Sequence, residues 1–93
     1  MITILVFHEI ENGEHWARAW HKGPGSRHEM FETIGAKCRN FRDPNNPDST
    51  GVMLEIPDLK TFENFFALDE TKKAIAEDAL KVDTLRVLTE FVP

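Results

Sequence analysis

The chain has 93 residues, which are enough for one domain and leave no room for two. A net charge of −5 and a pI of about 5.3 argue against nucleic acid and anionic membranes as partners, because both bind basic surfaces. The single cysteine, Cys38, excludes a disulfide within the chain and favours a cytoplasmic location. The apolar N-terminal run is short and has no basic start, so we expect neither a signal peptide nor a membrane span.

The first strand is predicted at residues 2–10. Its opening run, Ile2 to Phe7, contains no glycine, proline or charge, and four of its six residues are β-branched. Such a run is typical of a strand at the centre of a sheet, buried on both faces. Alternation places one set of side chains on one face, Ile2, Ile4, Val6 and His8, and the other set on the opposite face, Thr3, Leu5, Phe7 and Glu9.

Two helical pieces follow the first strand. Asn12 is suited to cap a helix over about 13–21, which carries Trp16 and Trp20 on one stripe. The segment Lys22-Gly23-Pro24-Gly25 is expected to break this helix. Ser26 then begins a capping box for a second piece over about 27–33, which buries apolar side chains including Phe31.

The remaining elements are predicted from alternation and turn residues. We expect an edge strand over 36–42, a long hairpin loop over 43–49 that is dense in turn residues, and a third strand over 50–56. A helix capped by Asp58 should follow, with a step at Leu68-Asp69 where Asp69 caps a second piece that runs to about Leu80. A fourth strand is predicted over 84–92.

This order, βαββαβ, predicts an α+β, ferredoxin-like fold with one four-stranded antiparallel sheet. Strands one and three should be central, and the helices should cover one sheet face. The other face would carry Leu5, Phe7, Met53 and Leu88, which form too apolar a surface to leave in water. We therefore expect a homodimer in which two sheets pack face to face.

The whole chain resembles the dimeric α/β barrel superfamily, which includes antibiotic-biosynthesis monooxygenases, haem-degrading monooxygenases, polyketide cyclases and stress-responsive barrel proteins. The resemblance depends on the element order, the length and the segment from Leu54 to Phe66, which looks like that group's third strand running into its second helix. It implies a dimeric α/β barrel. The group contains several chemistries as well as members without known activity, so the fold does not identify a reaction.

Residue roles carry over from this group only in part. Haem-degrading members use an asparagine on the first strand together with a tryptophan and a histidine. The first strand here has no asparagine before Asn12, and the second helix has neither tryptophan nor histidine. Cyclase-like members use a histidine on the first strand and another at the bend of the second helix. His8 matches the first, whereas the bend reads Leu68-Asp69-Glu70-Thr71.

A ligand pocket is the site hypothesis that we favour. The break after Trp20 should lift the second helical piece off the sheet and leave a gap walled by Trp16, Trp20, Phe31 and Phe7. His8, with Glu9 beside it, would then be the catalytic candidate as a general base near the rim. The alternatives are that the two indoles are ordinary core residues and that His8 faces solvent at the end of a strand.

A metal site is a weaker hypothesis. The pairs Glu11/His15 and His28/Glu32 have i, i+4 spacing, but no further pair with matching spacing supports them. We therefore expect no tightly bound metal and no cofactor. Arg39, Glu55, Arg86 and Glu90 are charged strand residues, and we expect them to form ion pairs between subunits, with Glu9 joining them.

Three functions remain open from the sequence. The first is a cofactor-independent enzyme, monooxygenase-like or cyclase-like, that acts on a small apolar or aromatic molecule. The second is a binding or stress-associated dimer without chemistry. The third is a metal-dependent variant that uses the histidines of the first helical region.

Overall fold

The computed structural model describes residues 1–21 and 23–93, and its elements follow the predicted order with each helical region in two pieces. Lys22, the first residue of the predicted helix break, lies outside the described residues. The elements are β1 (Ile2–Ile10), α1 (Gly13–Trp20), α2 (Arg27–Glu32), β2 (Lys37–Asp43), β3 (Asn46–Ile56), α3 (Leu59–Ala67), α4 (Asp69–Glu77) and β4 (Leu80–Thr89). None of the helices in these ranges is long and apolar enough to cross a membrane.

The four strands form one antiparallel sheet in the order β2-β3-β1-β4. This confirms the α+β, ferredoxin-like fold, and it confirms that β1 and β3 are the central strands. The register between them is regular, with Ile4 opposite Leu54 and His8 opposite Thr50. The Thr50 hydroxyl donates to the His8 carbonyl at 2.9 Å, which fixes the register at the end of β1 that carries the histidine.

The predicted long hairpin loop is wrong. Asp43 pairs directly with Asn46, so only Pro44 and Asn45 form the turn, and the Asp43 carboxylate accepts from the Asn45 amide at 2.8 Å. The turn-forming residues 46–49 belong to β3 instead. They are held there by tertiary contacts, since Ser49 pairs with Glu9 and the Asp48 side chain accepts from the Gly13 amide at 2.8 Å.

The fourth strand begins earlier than predicted, at Leu80 rather than Thr84, and ends at Thr89 rather than Val92. Two residues of β1, Phe7 and Glu9, pair with Arg86 and Lys81, so β4 contains an irregularity of several residues between them. The Thr84 hydroxyl stabilises it by donating to the Lys81 carbonyl and accepting from the Glu9 amide. Leu80 and Lys81 therefore pair with Ile10 and Glu9 on the other side of this irregularity and extend the strand.

Helix termini follow the predicted caps with one exception. Asn12, Ser26 and Asp58 each accept a backbone hydrogen bond at the start of α1, α2 and α3. Asp69 is not a cap. The residue that separates α3 from α4 is Leu68, which has an extended backbone (φ −69°, ψ 142°) and caps α4 without a side-chain hydrogen bond. Helix α4 also ends at Glu77, before the predicted Leu80.

The helices cover one face of the sheet, as predicted, and the core lies between the two layers. Alternate residues of β1 and β3 point into it, and the helices add their aromatic side chains from the other side. The buried apolar residues are Ile4, Val6, Ile10, Trp16, Trp20, Phe31, Ala36, Val52, Leu54, Ile56, Phe62, Phe65 and Ala74. The opposite sheet face is uncovered in the single chain, and Phe7 (43% exposed) and Leu88 (42% exposed) lie on it. The single chain therefore buries β1 on one face only, and not on both faces as the sequence predicted.

A candidate ligand cavity between the helices and the sheet

A cavity of about 50 Å³ lies between the sheet and the helices. Val6, His8, Val52 and Leu54 line it from the sheet, and residues of α1, α2 and α4 line it from the helix layer. One water needs roughly 10–15 Å³ of such volume, whereas an engineered cavity of about 150 Å³ holds benzene. In this form the cavity therefore has room for a few waters and is too small for an aromatic ring.

His8 points into this cavity from β1 and is buried, with 6% of its surface exposed. Within the described residues, neither ring nitrogen has a hydrogen-bond partner, and both nitrogens are shielded from bulk solvent. The nearest aromatic neighbour is Trp16, whose ring meets the imidazole edge-on at 6.0 Å between centroids. Burial lowers the pKa of His8 from 6.5 to about 4, and the negative charge of Asp78 opposes this shift. His8 is therefore a neutral imidazole at pH 7, with one donor and one acceptor that no described residue meets.

Thr71 contributes a polar group from the helix side. It lies in the first turn of α4, is 2% exposed, and lines the same cavity as His8. No described residue offers a hydrogen-bond partner to its hydroxyl. Sequence reasoning missed Thr71, although the predicted helix step at Leu68 was the one signal that pointed to this turn.

Arg27 and Asp78 form an ion pair at the cavity wall. The Arg27 Nε lies 2.9 Å from one Asp78 carboxylate oxygen, and its Nη2 lies 2.8 Å from the other. Both side chains are largely buried, and Glu77 adds a longer contact at 3.4 Å. Because Arg27 begins α2 and Asp78 follows α4, this pair joins the two helices over the cavity. Neither residue was predicted as part of a site.

Aromatic side chains form most of the helix-side wall. The rings of Trp16 and Trp20 are 6.1 Å apart, and Phe31 stacks on Trp20 at 5.5 Å. His8, Trp16, Trp20 and Phe31, which the sequence placed in one pocket, all line this cavity. The two indoles are also buried core residues, at 4% and 8% exposure. Packing in the core and lining a pocket are therefore compatible roles for them.

Two of the predicted site residues lie elsewhere. Phe7 is on the uncovered sheet face, where it packs over Gly51; a Cβ atom on that glycine would be 3.3 Å from the Phe7 ring. Glu9 is exposed on the same face. Side chains alternate along a strand, so Phe7 and Glu9 point away from the face that His8 shares with Val6. The structure therefore does not bring Phe7 or Glu9 to the cavity, and His8 is buried in the wall rather than at an open rim.

The residues considered for the weaker metal hypothesis do not converge. Among residues 1–21 and 23–93, no group of three His, Cys, Asp or Glu side chains is arranged to hold an ion. The His15 ring bonds instead to the Glu77 carbonyl at 2.8 Å, and His28 packs edge-on against Trp20 at 5.1 Å. Cys38 is half-buried, and burial raises the pKa of its thiol to about 12, which makes it a poor metal ligand at neutral pH.

Solved structures share this fold. A crystal structure of an antibiotic biosynthesis monooxygenase matches the chain with a TM-score of 0.65 and 16% sequence identity over the full length of both chains. A proposed antibiotic biosynthesis monooxygenase from Deinococcus radiodurans matches with a TM-score of 0.58 and 12% identity, over all of this chain and 93% of that one. The chain has the fold of these proteins.

The predicted resemblance is thus confirmed at the level of fold. A scan against protein-family models gives no match, and a search of curated proteins gives none either. At 16% and 12% identity the similarity carries no residue roles. What the cavity does has to be argued from its own side chains.

Proposed function

We propose that this chain binds a small, mostly apolar molecule between its sheet and its helices, and that His8 hydrogen-bonds the molecule's polar group. The observation that carries this proposal is the buried imidazole of His8, whose two nitrogens have no partner among the described residues. A buried polar group without a partner costs about 1–3 kcal/mol of stability. A ligand that supplies the missing hydrogen bond recovers this free energy and gains specificity from it.

The ligand needs more room than the closed cavity offers, so one wall has to move. Helix α2 is the shortest helix of the wall, with only six residues, and Phe31 and the Arg27–Asp78 pair hold it in place. Two glycines precede it, with φ of +145° at Gly23 and +78° at Gly25, and among the described residues no atom outside their chain neighbours lies within 4 Å of the place that a Cβ atom would take on either. These glycines are suited to absorb the backbone change when α2 moves outward.

We further propose that the bound molecule is oxidised, as the names of the structurally similar monooxygenases suggest, and that no cofactor takes part. A phenol activated toward oxygen supplies its own electrons. His8 accepts the phenolic proton, the ring loses electrons to O₂, and a CH₂ group conjugated with it becomes C=O while the second oxygen atom leaves as water. The developing phenolate stabilises the imidazolium, so the pKa of His8 rises in the complex as the proton is transferred.

A non-catalytic binding protein is the second candidate. The observation that favours it is the cavity volume of about 50 Å³, which leaves no preformed space for both a substrate and O₂. In that case His8 and the indoles would recognise a ligand without turning it over.

Both proposals include a homodimer of this chain. The uncovered sheet face carries Leu5, Phe7, Met53 and Leu88, and charged side chains share it at Glu9, Arg39, Glu55, Arg86 and Glu90. Among the described residues these charges make no ion pair within the chain, although the Arg39 guanidinium lies 5.7 Å from the centre of the Phe41 ring. A second copy packed on this face would bury its apolar surface and offer partners to the charges.

Ligand titration tests the proposed function. Trp16 and Trp20 are the two tryptophans of the chain and both line the cavity, so their fluorescence reports on it directly. Phenol should change the emission saturably. Trp20→Ala should weaken binding about tenfold, since loss of one large apolar wall is worth at least ~1.4 kcal/mol, and His8→Phe should weaken it similarly.

His21→Gln is the matched control, because His21 is exposed just after α1 and outside the cavity. It should bind phenol like the wild-type chain. Emission that does not respond to any small phenol would exclude the proposed function.

A further inference from the structure

The cavity contains two buried polar groups without partners, and they lie on opposite walls. His8 belongs to the sheet, and Thr71 belongs to the helix layer. Within the described part of the chain, the His8 ring nitrogens and the Thr71 hydroxyl are three of the four buried side-chain atoms that lack a hydrogen bond. The fourth is the amide nitrogen of Asn40, which does not line the cavity. The unmet hydrogen-bonding capacity of the buried interior is thus concentrated at one place.

The unpaired state of Thr71 has a local cause. A threonine inside a helix commonly donates its hydroxyl hydrogen bond to the carbonyl one turn earlier. For Thr71 that carbonyl belongs to Ala67, the last residue of α3, and the extended backbone at Leu68 separates it from α4. The next carbonyl, that of Leu68, already accepts from the backbone amides of Thr71 and Lys72, both at 3.1 Å. The helix break therefore leaves the hydroxyl free and directs it to the cavity.

The charges around the cavity indicate what kind of polar group fits. The negative charge of Asp78 acts on His8, and Arg27 is already engaged by both Asp78 carboxylate oxygens. Among the described residues that line the cavity, none other than Arg27 is a cation that could meet an anionic ligand. His8 is neutral at pH 7, and a hydroxyl is neutral at any working pH. The two unpaired groups are therefore suited to uncharged hydroxyl or carbonyl groups.

We propose that Thr71 determines specificity by binding a second polar group of the ligand, opposite the one that His8 binds. The ligand class is an uncharged aromatic compound with two oxygen substituents at separate ring positions. This inference rests on the proposed function, because it assumes that an aromatic molecule enters the cavity beside His8. It goes further by assigning the second polar contact and by excluding carboxylates.

Hydroquinone and phenol, titrated without oxygen and followed by tryptophan fluorescence, test this assignment. Hydroquinone has two equivalent hydroxyl groups and can bind in two orientations. This alone makes its apparent affinity twofold higher than that of phenol. We expect wild-type chain to prefer hydroquinone by at least tenfold, and benzoate to bind more weakly than phenol. Thr71→Val, which replaces the hydroxyl by a methyl group of the same size, should reduce the preference to about twofold by weakening hydroquinone binding only.

Thr71→Ser is the rescue variant, because it keeps the hydroxyl and loses the methyl group. It should retain a preference for hydroquinone, whereas a purely structural role of the threonine side chain would make serine fail and leave valine, which has the same size, unaffected. Wild-type chain that binds both compounds equally apart from the twofold factor, with His8→Phe still weakening binding about tenfold, would overturn the assignment of Thr71 and leave the proposed function standing. Absence of binding by both compounds would overturn the two together.

Discussion

Arg27 and Asp78 face each other across 51 positions of sequence and join with two hydrogen bonds, at 2.9 and 2.8 Å. The pair connects the start of α2 to the residue after α4, and both helices wall the cavity that contains His8. Asp78 is also the charge that raises the pKa of His8 against the effect of burial. One ion pair thus connects α2 to the end of α4 and influences the histidine in the same cavity.

Arg27→Met should destabilise the fold, because it leaves the Asp78 carboxylate largely buried without its partner. Removal of one member of a buried pair typically costs about 3–5 kcal/mol. We expect a loss near the lower end, at about 3 kcal/mol, because the pair sits at the wall of the cavity rather than at the centre of the core. Urea denaturation followed by tryptophan fluorescence measures the free energy of unfolding.

Arg42→Met is the matched control for Arg27→Met. Arg42 also forms an ion pair, with Glu14 at 3.3 Å, but both side chains are far more exposed. Surface pairs of this kind contribute about 0–1 kcal/mol. Equal losses in the two variants would show that the Arg27–Asp78 pair does not hold α2 in place.

His8 should make the stability depend on pH. Its pKa is about 4 in the folded chain and 6.5 in the unfolded reference, so the unfolded chain binds more protons between these values. The stability contributed by the neutral form is fully present above pH 6.5 and falls as the pH drops toward 4. Over this range the wild-type chain should lose about 3 kcal/mol more than His8→Phe does.

Urea denaturation at intervals between pH 4 and pH 7 measures this difference. His21→Gln should follow the wild-type curve, since that side chain is exposed. A His8→Phe curve parallel to that of the wild type would contradict the burial of a neutral imidazole. An NMR titration of the His8 ring should give the same low pKa directly.

Thr71→Val should stabilise the chain even as it weakens hydroquinone binding. The hydroxyl is 2% exposed and has no partner among the described residues, so its burial is unfavourable. A methyl group in the same place removes that cost, and we expect a gain of about 1 kcal/mol in the free energy of unfolding. Destabilisation would indicate that the hydroxyl already has a hydrogen bond, for example to an ordered water.

The fold could be predicted from the sequence because each helix and strand is indicated by features within its own segment, and these features agree with each other. Unbroken apolar residues in β1, alternation in β3 and the caps Asn12, Ser26 and Asp58 each predict their own element. The boundaries that were wrong, at the hairpin of residues 43–46 and at the start of β4, depend on pairing partners. Asp48 lies in β3 partly because its side chain binds Gly13, a contact that spacing along the chain does not reveal.

The candidate site could be predicted from the sequence only in part, because it too depends on contacts between distant segments. Aromatic spacing led to Trp16, Trp20 and Phe31, and strand position led to His8. Phe7 and His8 are neighbours in a strand, so their side chains point to opposite faces of the sheet. The prediction that both line one pocket was therefore wrong. The Arg27–Asp78 pair and the unpaired hydroxyl of Thr71 arise from contacts and from missing contacts between distant segments, which a single sequence does not encode locally.

The last prediction concerns the uncovered sheet face. Leu88 lies there opposite Leu5, 42% exposed in the single chain, and two copies packed on this face would bury on the order of 1,500 Å². Sedimentation at micromolar concentration should therefore give about twice the chain mass, and Leu88→Asp should give the mass of one chain, because it places an unpaired charge in a dry interface. Val82→Asp is the control, since Val82 is exposed in the same strand but borders the helix side near Ile75 and Leu85. It should leave the pair intact. A wild-type chain that sediments as a monomer would exclude the barrel dimer, and the exposed ring of Phe7 would then need another explanation.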